Sequence, residues 1–223
     1  MKHLPWYLVA GFIMITLITL FALYKATGRS RKVLLLSSGW LLLQAVLSLN
    51  GFYLKTDVMP PRFLFALLPP LVLIAWLLLS KKGRSFTGGN SLEDLTLLHT
   101  IRIPVELVLY SLSVYKVIPT LMTFEGRNFD IIAGLTAPLI YYFGFRRKKL
   151  STTIILIWNF ICIALLANIV IHAVLAAPFP FQQLAFEQPN IAILYFPFTW
   201  LACFIVPVVL YAHLVNIQRL IRR

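Results

Sequence analysis

The sequence predicts an all-α protein, a polytopic bundle of seven transmembrane helices with its N-terminus outside and its C-terminus in the cytoplasm. Three observations predict it. Hydrophobic residues make up 60% of the 223 residues and charged ones 12%, against roughly 45–50% and about 25% in a soluble domain. Apolar runs of membrane-spanning length follow one another with short connections. Lysine and arginine crowd into alternate connections. The mean hydropathy of +0.87 is more than a soluble domain of this size can hide in its core. A soluble enzyme, a disordered chain and a disulfide scaffold are therefore excluded.

A helical span needs roughly 20 predominantly apolar residues, within a range of about 17–25. The first candidate is Leu4–Tyr24. It lacks a small-residue cleavage site, so it reads as a retained helix and not as a signal peptide. Val33–Leu54 and Phe63–Ser80 follow, the latter broken by Pro69-Pro70. Leu95–Ile118 is fourth. Asp130–Phe145 is the shortest and carries Gly134, Pro138 and Gly144. Ser151–Ala176 and Ile191–Ile217 complete the set. No connection is long enough for a soluble domain, so residues 1–223 read as a single transmembrane domain.

Orientation follows from the basic residues, which concentrate on the cytoplasmic side of a membrane protein. The net charge is +13, with 20 Lys and Arg against 7 Asp and Glu. Fourteen of the 20 sit in alternate connections: Lys25, Arg29, Arg31 and Lys32; Lys81, Lys82 and Arg84; Arg146, Arg147, Lys148 and Lys149; Arg219, Arg222 and Arg223. The opposite side holds Lys2, Lys55, Arg62, Lys116 and Arg127. Without the fifth span, Arg146–Lys149 would join Arg127 on the outer side, so the charge pattern supports that span. A basic excess distributed in this way encodes topology and not nucleic-acid binding, and no nucleic-acid partner is expected. The plasma (inner) membrane is the expected location.

Ionisable groups at membrane depth cost about 2.5–3.5 kcal/mol each on insertion scales, so each needs a reason to be there. His99, Arg102, Glu106, Tyr110 and Ser113 recur at steps of 3, 4, 4 and 3. At about 100° per residue they fall on one helix face, in a stripe about 21 Å long. Arg102 and Glu106 are spaced to neutralise each other across one turn. Pro104 withholds a donor from the Thr100 carbonyl and predicts a kink there. His213 lies at a depth similar to His99, so the two meet if spans four and seven are neighbours. His99, Arg102, Glu106, Tyr110 and His213 form the candidate intramembrane site, with the histidines linking Glu106 to the cytoplasm. Tyr195, Thr199 and His213 share one face of span seven. The outer connection Thr123–Asp130 is dense in polar groups. Glu125, Arg127 and Asp130, with His172 from span six, form a candidate outer lip, and Asn128 caps the fifth span. The stretch Ala177–Asn190 alternates aromatic and polar residues, as a segment at the membrane interface does.

Cys162 and Cys203 lie inside apolar spans and read as small packing residues, not as a disulfide. No lysine in the last span is placed to carry a retinal Schiff base. Bis-histidine haem needs two histidines facing each other at one depth, and only His99 and His213 qualify. A zinc site of His99, Glu106 and His213 fails because Glu106 lies about 10 Å along the helix from His99. No metal and no cofactor are expected. The expected partners are the lipid bilayer, a small-molecule or ion ligand, and a membrane protein partner or a second copy. Three function classes fit. The first is transport or sensing of a small molecule, ion or proton at the stripe. The second is a membrane-embedded enzyme acting on a lipid or isoprenoid. The third is a non-catalytic subunit or assembly factor whose stripe is covered by a partner.

Overall fold

The computed structural model describes residues 4–222. The protein is 73% helical, with no strand among the described residues. Helix α1 (Trp6–Ala26) is a nearly unbroken apolar run, about 32 Å long at 1.5 Å per residue, which matches the hydrocarbon thickness of a bilayer. Helix α2 (Arg31–Leu49) begins at Ser30, whose Oγ accepts the Val33 N–H at 3.5 Å. It stops short of the expected Leu54 because Gly51, at a φ of 69°, turns the chain into a short 3₁₀ turn. Helix α3 (Leu64–Leu79) keeps Pro69 and Pro70 inside it, then bends by 87° into α4 (Lys81–Gly88). Ser80 makes that corner, its Oγ accepting the Gly83 N–H at 2.9 Å.

Helix α5 (Leu92–Leu98), a 3₁₀ turn at His99–Ile101 and α6 (Arg102–Val114) together form one apolar helix of 23 residues. The strain expected at Pro104 is taken up as that tighter turn just upstream. Helix α7 (Ile131–Ile140) runs into a π-helical turn, Tyr141–Arg146. Helix α8 is Thr152–Leu175, and a π turn at Leu201–Ile205 leads into α9 (Val206–Ile221). Pro207 lacks the N–H that the Cys203 carbonyl would receive in a regular helix. Trp40 of α2 reaches across instead, its Nε1 donating to that carbonyl at 3.0 Å.

Among the described residues five helical stretches are long and apolar enough to cross a membrane: α1, α2, α5–α6, α8 and Leu201–Ile221. The bent pair α3–α4 makes a sixth if it counts as one span, and Ile131–Arg146 is shorter. The last span is shifted from the expected Ile191–Ile217. Residues 192–194 form a separate 3₁₀ turn and Tyr195 is extended, so Tyr195 does not share a helix face with Thr199 and His213. Thr199 instead bonds Ser48 of α2, oxygen to oxygen at 2.9 Å.

Long-range contacts gather the basic connections at one end of the bundle. There Lys25 pairs with Asp94 at 2.9 Å and Arg146 with Glu93 at 3.7 Å. Gln218 Nε2 donates to the Leu78 carbonyl at 3.0 Å, and Arg219 donates to the Asn90 carbonyl. At the other end, the Ile191 N–H donates to the Val117 carbonyl at 3.1 Å and the Asn190 N–H to the Ala176 carbonyl at 2.8 Å. Lys2 and Arg223, which also enter the charge pattern, lie outside the described residues.

The sorting of side chains is that of a protein solvated by lipid. Leu35, Leu36, Leu42 and Val46 of α2 face outward, as do Met14, Ile18 and Phe21 of α1. The interior holds Gln44, Asn159, Asn216, His99, Arg102, Glu106, Asp130 and His213. Lipid offers apolar groups the same surroundings as a core does, so polar side chains and close packing hold such helices together. Asn216 Nδ2 donating to Thr96 Oγ1 at 3.0 Å ties α9 to α5, and Trp158 Nε1 donating to Thr136 Oγ1 at 2.9 Å ties α8 to α7.

Candidate functional site

Arg102 is the centre of the buried polar cluster. It lies about 18 Å along the helix from the end of α6 at Val114, near mid-span. Its Nη1 donates to Asp130 Oδ1 at 2.8 Å, and its Nη2 lies 3.0 Å from His213 Nε2. A guanidinium has only donors, so His213 accepts at Nε2 and carries its proton on Nδ1. That nitrogen donates to Asn159 Oδ1 at 2.8 Å, and Asn159 Nδ2 donates to the Ile155 carbonyl at 2.8 Å. The chain of bonds therefore links α7, α6, α9 and α8.

The position of Asp130 corrects two expectations. It is not part of an outer lip, and Arg102 does not pair with Glu106. Since Asp130 meets Arg102 near mid-span, the segment before it dips into the bundle. The physical reason is local. Asn128 Oδ1 accepts the Asp130 N–H at 3.0 Å, and Asn128 Nδ2 donates to Glu106 Oε1 at 2.6 Å and to the Met122 carbonyl at 3.1 Å. Asn128 thus clamps the segment to α6, and Asp130 takes the cap position expected for Asn128. Gly134, one turn into α7, allows the approach. A Cβ there would stand 2.9 Å from Ile103 Cγ1 and 3.2 Å from the Arg102 Cβ.

His99 and His213 do meet. Their rings stack at 3.7 Å between centroids and 14° between planes, with Trp158 edge-on to His99 at 5.6 Å. Parallel stacked rings direct their nitrogen lone pairs sideways, which does not suit two axial ligands of one haem iron. Both His99 nitrogens are buried without a hydrogen-bond partner among the described residues, as are Arg102 Nε and Glu106 Oε2. Among the described residues no three His, Cys, Asp or Glu side chains are grouped to hold a metal ion. No hydrogen bond among the described residues joins Glu106 to either histidine, and Arg102 lies on the His213 side of the cluster.

Three of these groups, Arg102, Glu106 and Asp130, form part of the wall of a cavity of about 500 Å³. The rest of its wall is almost wholly apolar and comes from α3, α6, α8 and the Leu201–Leu210 stretch, with Leu67, Leu109, Ile163 and Val209 representative, and from connecting residues such as Met122, Phe179 and Ile193. Four of its wall residues are exposed: Leu71 halfway along α3, Ala167 and Val174 on α8, and Phe181 just beyond it. The cavity therefore opens on the flank of the bundle between α3 and α8. An apolar chamber with Arg102, Glu106 and Asp130 among its wall residues suits an amphipathic molecule.

The other candidates lie elsewhere. Tyr110 stacks on Phe124 at 5.0 Å and is not in the cavity wall. Ser113 is buried, and its carbonyl accepts from Gln188 Nε2 at 3.2 Å. Glu125 and Arg127 are exposed, and the Arg127 carbonyl accepts from Asn168 Nδ2 at 2.7 Å. His172 Nδ1 bonds the Asn168 carbonyl at 2.8 Å. The sequence reading missed Asn159, an amide in the middle of an otherwise apolar span. The rule that singled out His99 would have found it, since each places a strongly polar group at membrane depth.

No curated protein and no solved structure matches the chain. Residues 60–221, which carry every member of the buried cluster and the whole cavity wall, match the family described as a domain of unknown function, DUF8737, and the protein belongs to that family.

Proposed function

We propose that this is a seven-span protein of the plasma (inner) membrane, N-terminus outside, that binds a small amphipathic molecule inside the bilayer in order to carry or sense it. The observation that carries the reading is the apolar cavity of about 500 Å³, which opens on the lipid-facing flank and includes Arg102, Glu106 and Asp130 in its wall. Volumes of roughly 300–1,000 Å³ are typical of ligand pockets. A ligand dissolved in the membrane reaches such a mouth without passing through water. The inward turn of His99, Arg102 and Glu106 weighs against a partner subunit being needed to cover them.

A photoactivatable diazirine alkane, soluble only in the membrane, tests the reading. Val209 lines the cavity and is 2% exposed, out of reach of bulk lipid. Carbene labelling at Val209 is expected in the native protein. Ala202→Trp, which fills the cavity from its wall, is expected to abolish that labelling while labelling of Leu42 on the outer face of α2 persists. Equal labelling of Val209 in both proteins overturns the reading. A second reading, an enzyme acting on a lipid or isoprenoid, draws on one observation. Glu106 Oε2 has no partner among the described residues, and a carboxyl not held by a second bond can serve as an acid or base. Chemical turnover of a lipid that depends on Glu106 would favour it.

A further inference from the structure

We infer that the cavity draws its ligand from the outer leaflet, admitting the hydrocarbon chain of a lipid sideways between α3 and α8 while the lipid's head stays at the outer surface of the membrane. Given the cavity proposed above, on which this rests, the source of the ligand and the part of it that enters follow from four features of the wall.

The first is where the wall lies along each helix. From α3 it takes only residues up to Leu71, the half remote from Lys81. From α8 it takes only residues from Ile163 onward, the half remote from the basic run Arg146–Lys149. The helix Leu92–Val114 lends Arg102 to Leu109, from its middle onward, and the last span, Leu201–Ile221, lends its first half. Each helix thus gives the half that points away from the basic connections. Basic connections mark the cytoplasmic side, so the cavity occupies the outer half of the bundle. The second feature is the mouth. Its exposed residues run from Leu71 and Ala167 near mid-span to Val174 and Phe181 at the outer end. Hydrocarbon about 30 Å thick gives each leaflet about 15 Å, so the mouth stands at the depth of the outer leaflet's chains.

The third feature is that the chamber is closed above and below. On the outer side Phe63 packs on Phe179 at 6.0 Å, and Phe179 on Phe181 at 5.5 Å. The Gln183 and Leu184 N–H groups hold that segment down by donating to the Leu175 carbonyl at 2.9 and 3.0 Å. On the inner side the Arg102–Asp130 pair forms the floor. Beneath it the core is filled by Leu95, Ala212 and Val215, all wholly enclosed, and by the Asn216–Thr96 bond. The fourth feature is what an occupant meets. Arg102 and Glu106 are 2% exposed and Asp130 6%, so the surface offered is almost entirely that of the apolar residues. A polar head taken inside would lose its hydration with little to replace it. A chain of the outer leaflet already lies at the depth of the mouth. It passes from lipid to apolar wall without dehydrating its head, whereas a lipid of the inner leaflet would have to bring its head across the midplane.

The test uses phosphatidylcholine with a diazirine midway along one acyl chain, loaded by cyclodextrin into only the bath-facing leaflet of proteoliposomes. The protein carries Lys82→Cys in the background with Cys162 and Cys203 replaced by serine. An impermeant biotin maleimide marks the molecules whose basic end faces the bath, and streptavidin separates them after photolysis. Ile205 and Val209 line the cavity and are both 2% exposed. Their labelling is expected to be at least tenfold greater in the uncaptured molecules, whose other end faces the loaded leaflet. Leu36 and Leu49, exposed at opposite ends of α2, report the loading, Leu36 in the captured fraction and Leu49 in the uncaptured one. Ala167→Trp, an exposed position in the mouth, is expected to suppress labelling of Ile205 and Val209 and leave that of Leu49 unchanged, which also shows that the variant is folded. Equal labelling of the cavity in both fractions, more in the captured one, or none in either overturns the inference, and so does labelling that Ala167→Trp leaves undiminished. In each of those cases the cavity reading survives if the diazirine alkane still labels Val209 and Ala202→Trp still prevents it. If Ala202→Trp has no effect on alkane labelling, it is the cavity reading that fails.

Discussion

The Arg102–Asp130 pair shows how membrane burial raises the stakes of one contact. Both side chains are almost wholly enclosed, 3% and 8% exposed, with a 2.8 Å bond between them. Removing one partner of a buried pair leaves an uncompensated charge and costs about 3–5 kcal/mol, whereas replacing both with apolar residues of similar volume is often neutral. Asp130→Leu and Arg102→Met are therefore each expected to lower the thermal stability of the detergent-purified protein strongly. The double variant is expected to recover most of the loss, and a double variant no better than the worse single one would show that the pair is not what matters. The sequence made Arg102 legible as a buried cation, because any Arg amid such apolar surroundings must face inward. Its partner was not legible. Glu106 stands at the right helical spacing, and the spacing rule knows nothing of a segment 28 residues away that returns to mid-span. The bond from Asn128 to Glu106 decides the matter, since it both occupies Glu106 and delivers Asp130.

At the scale of elements, α7 is where sequence and structure part most. Its apolar length is short because it starts inside the bundle at Asp130 and not at the surface. Gly134 sets how closely it approaches α6. A methyl there would press on Ile103 and on the Arg102 Cβ, and a branched side chain would push α7 away. Gly134→Val is expected to destabilise the protein by about 1–3 kcal/mol, the usual cost of overpacking. If α7 moves as a unit, Asp130→Leu should cost less in the Gly134→Val background than in the native one, because the pair is already stretched. Strict additivity of the two changes would show that Gly134 does not govern the pair. The other breaks in helix regularity were partly legible. Pro104 and Pro207 announced missing donors, but only the folded chain shows how each is accommodated, by a 3₁₀ turn at His99–Ile101 and by Trp40 Nε1 at the Cys203 carbonyl.

For the whole molecule, the property to test is how often the chain crosses the bilayer. The basic connections meet at one end through Lys25–Asp94, Arg146–Glu93 and Arg219–Asn90. Charged residues at that end are expected to face the cytoplasm, and an odd number of crossings then leaves the N-terminus outside. The crossing that decides the count lies between Phe129 and Arg147, where the apolar helix Ile131–Arg146 is shorter than the five long spans. Single cysteines at exposed positions decide it, in a background where Cys162 and Cys203, both buried, are serine. In intact cells a membrane-impermeant maleimide is expected to label Glu125→Cys and Glu187→Cys. Lys32→Cys, Lys82→Cys and Lys149→Cys are expected to react only after permeabilisation. Labelling of positions 125 and 149 from the same side would mean that α7 enters the membrane and returns. The crossings would then number six, and the termini would share one side of the membrane. The cavity would not survive such a change, since α8 and the Leu201–Leu210 stretch would cross in the opposite sense to the one in which they meet α3 and α6, and Arg146 would leave Glu93.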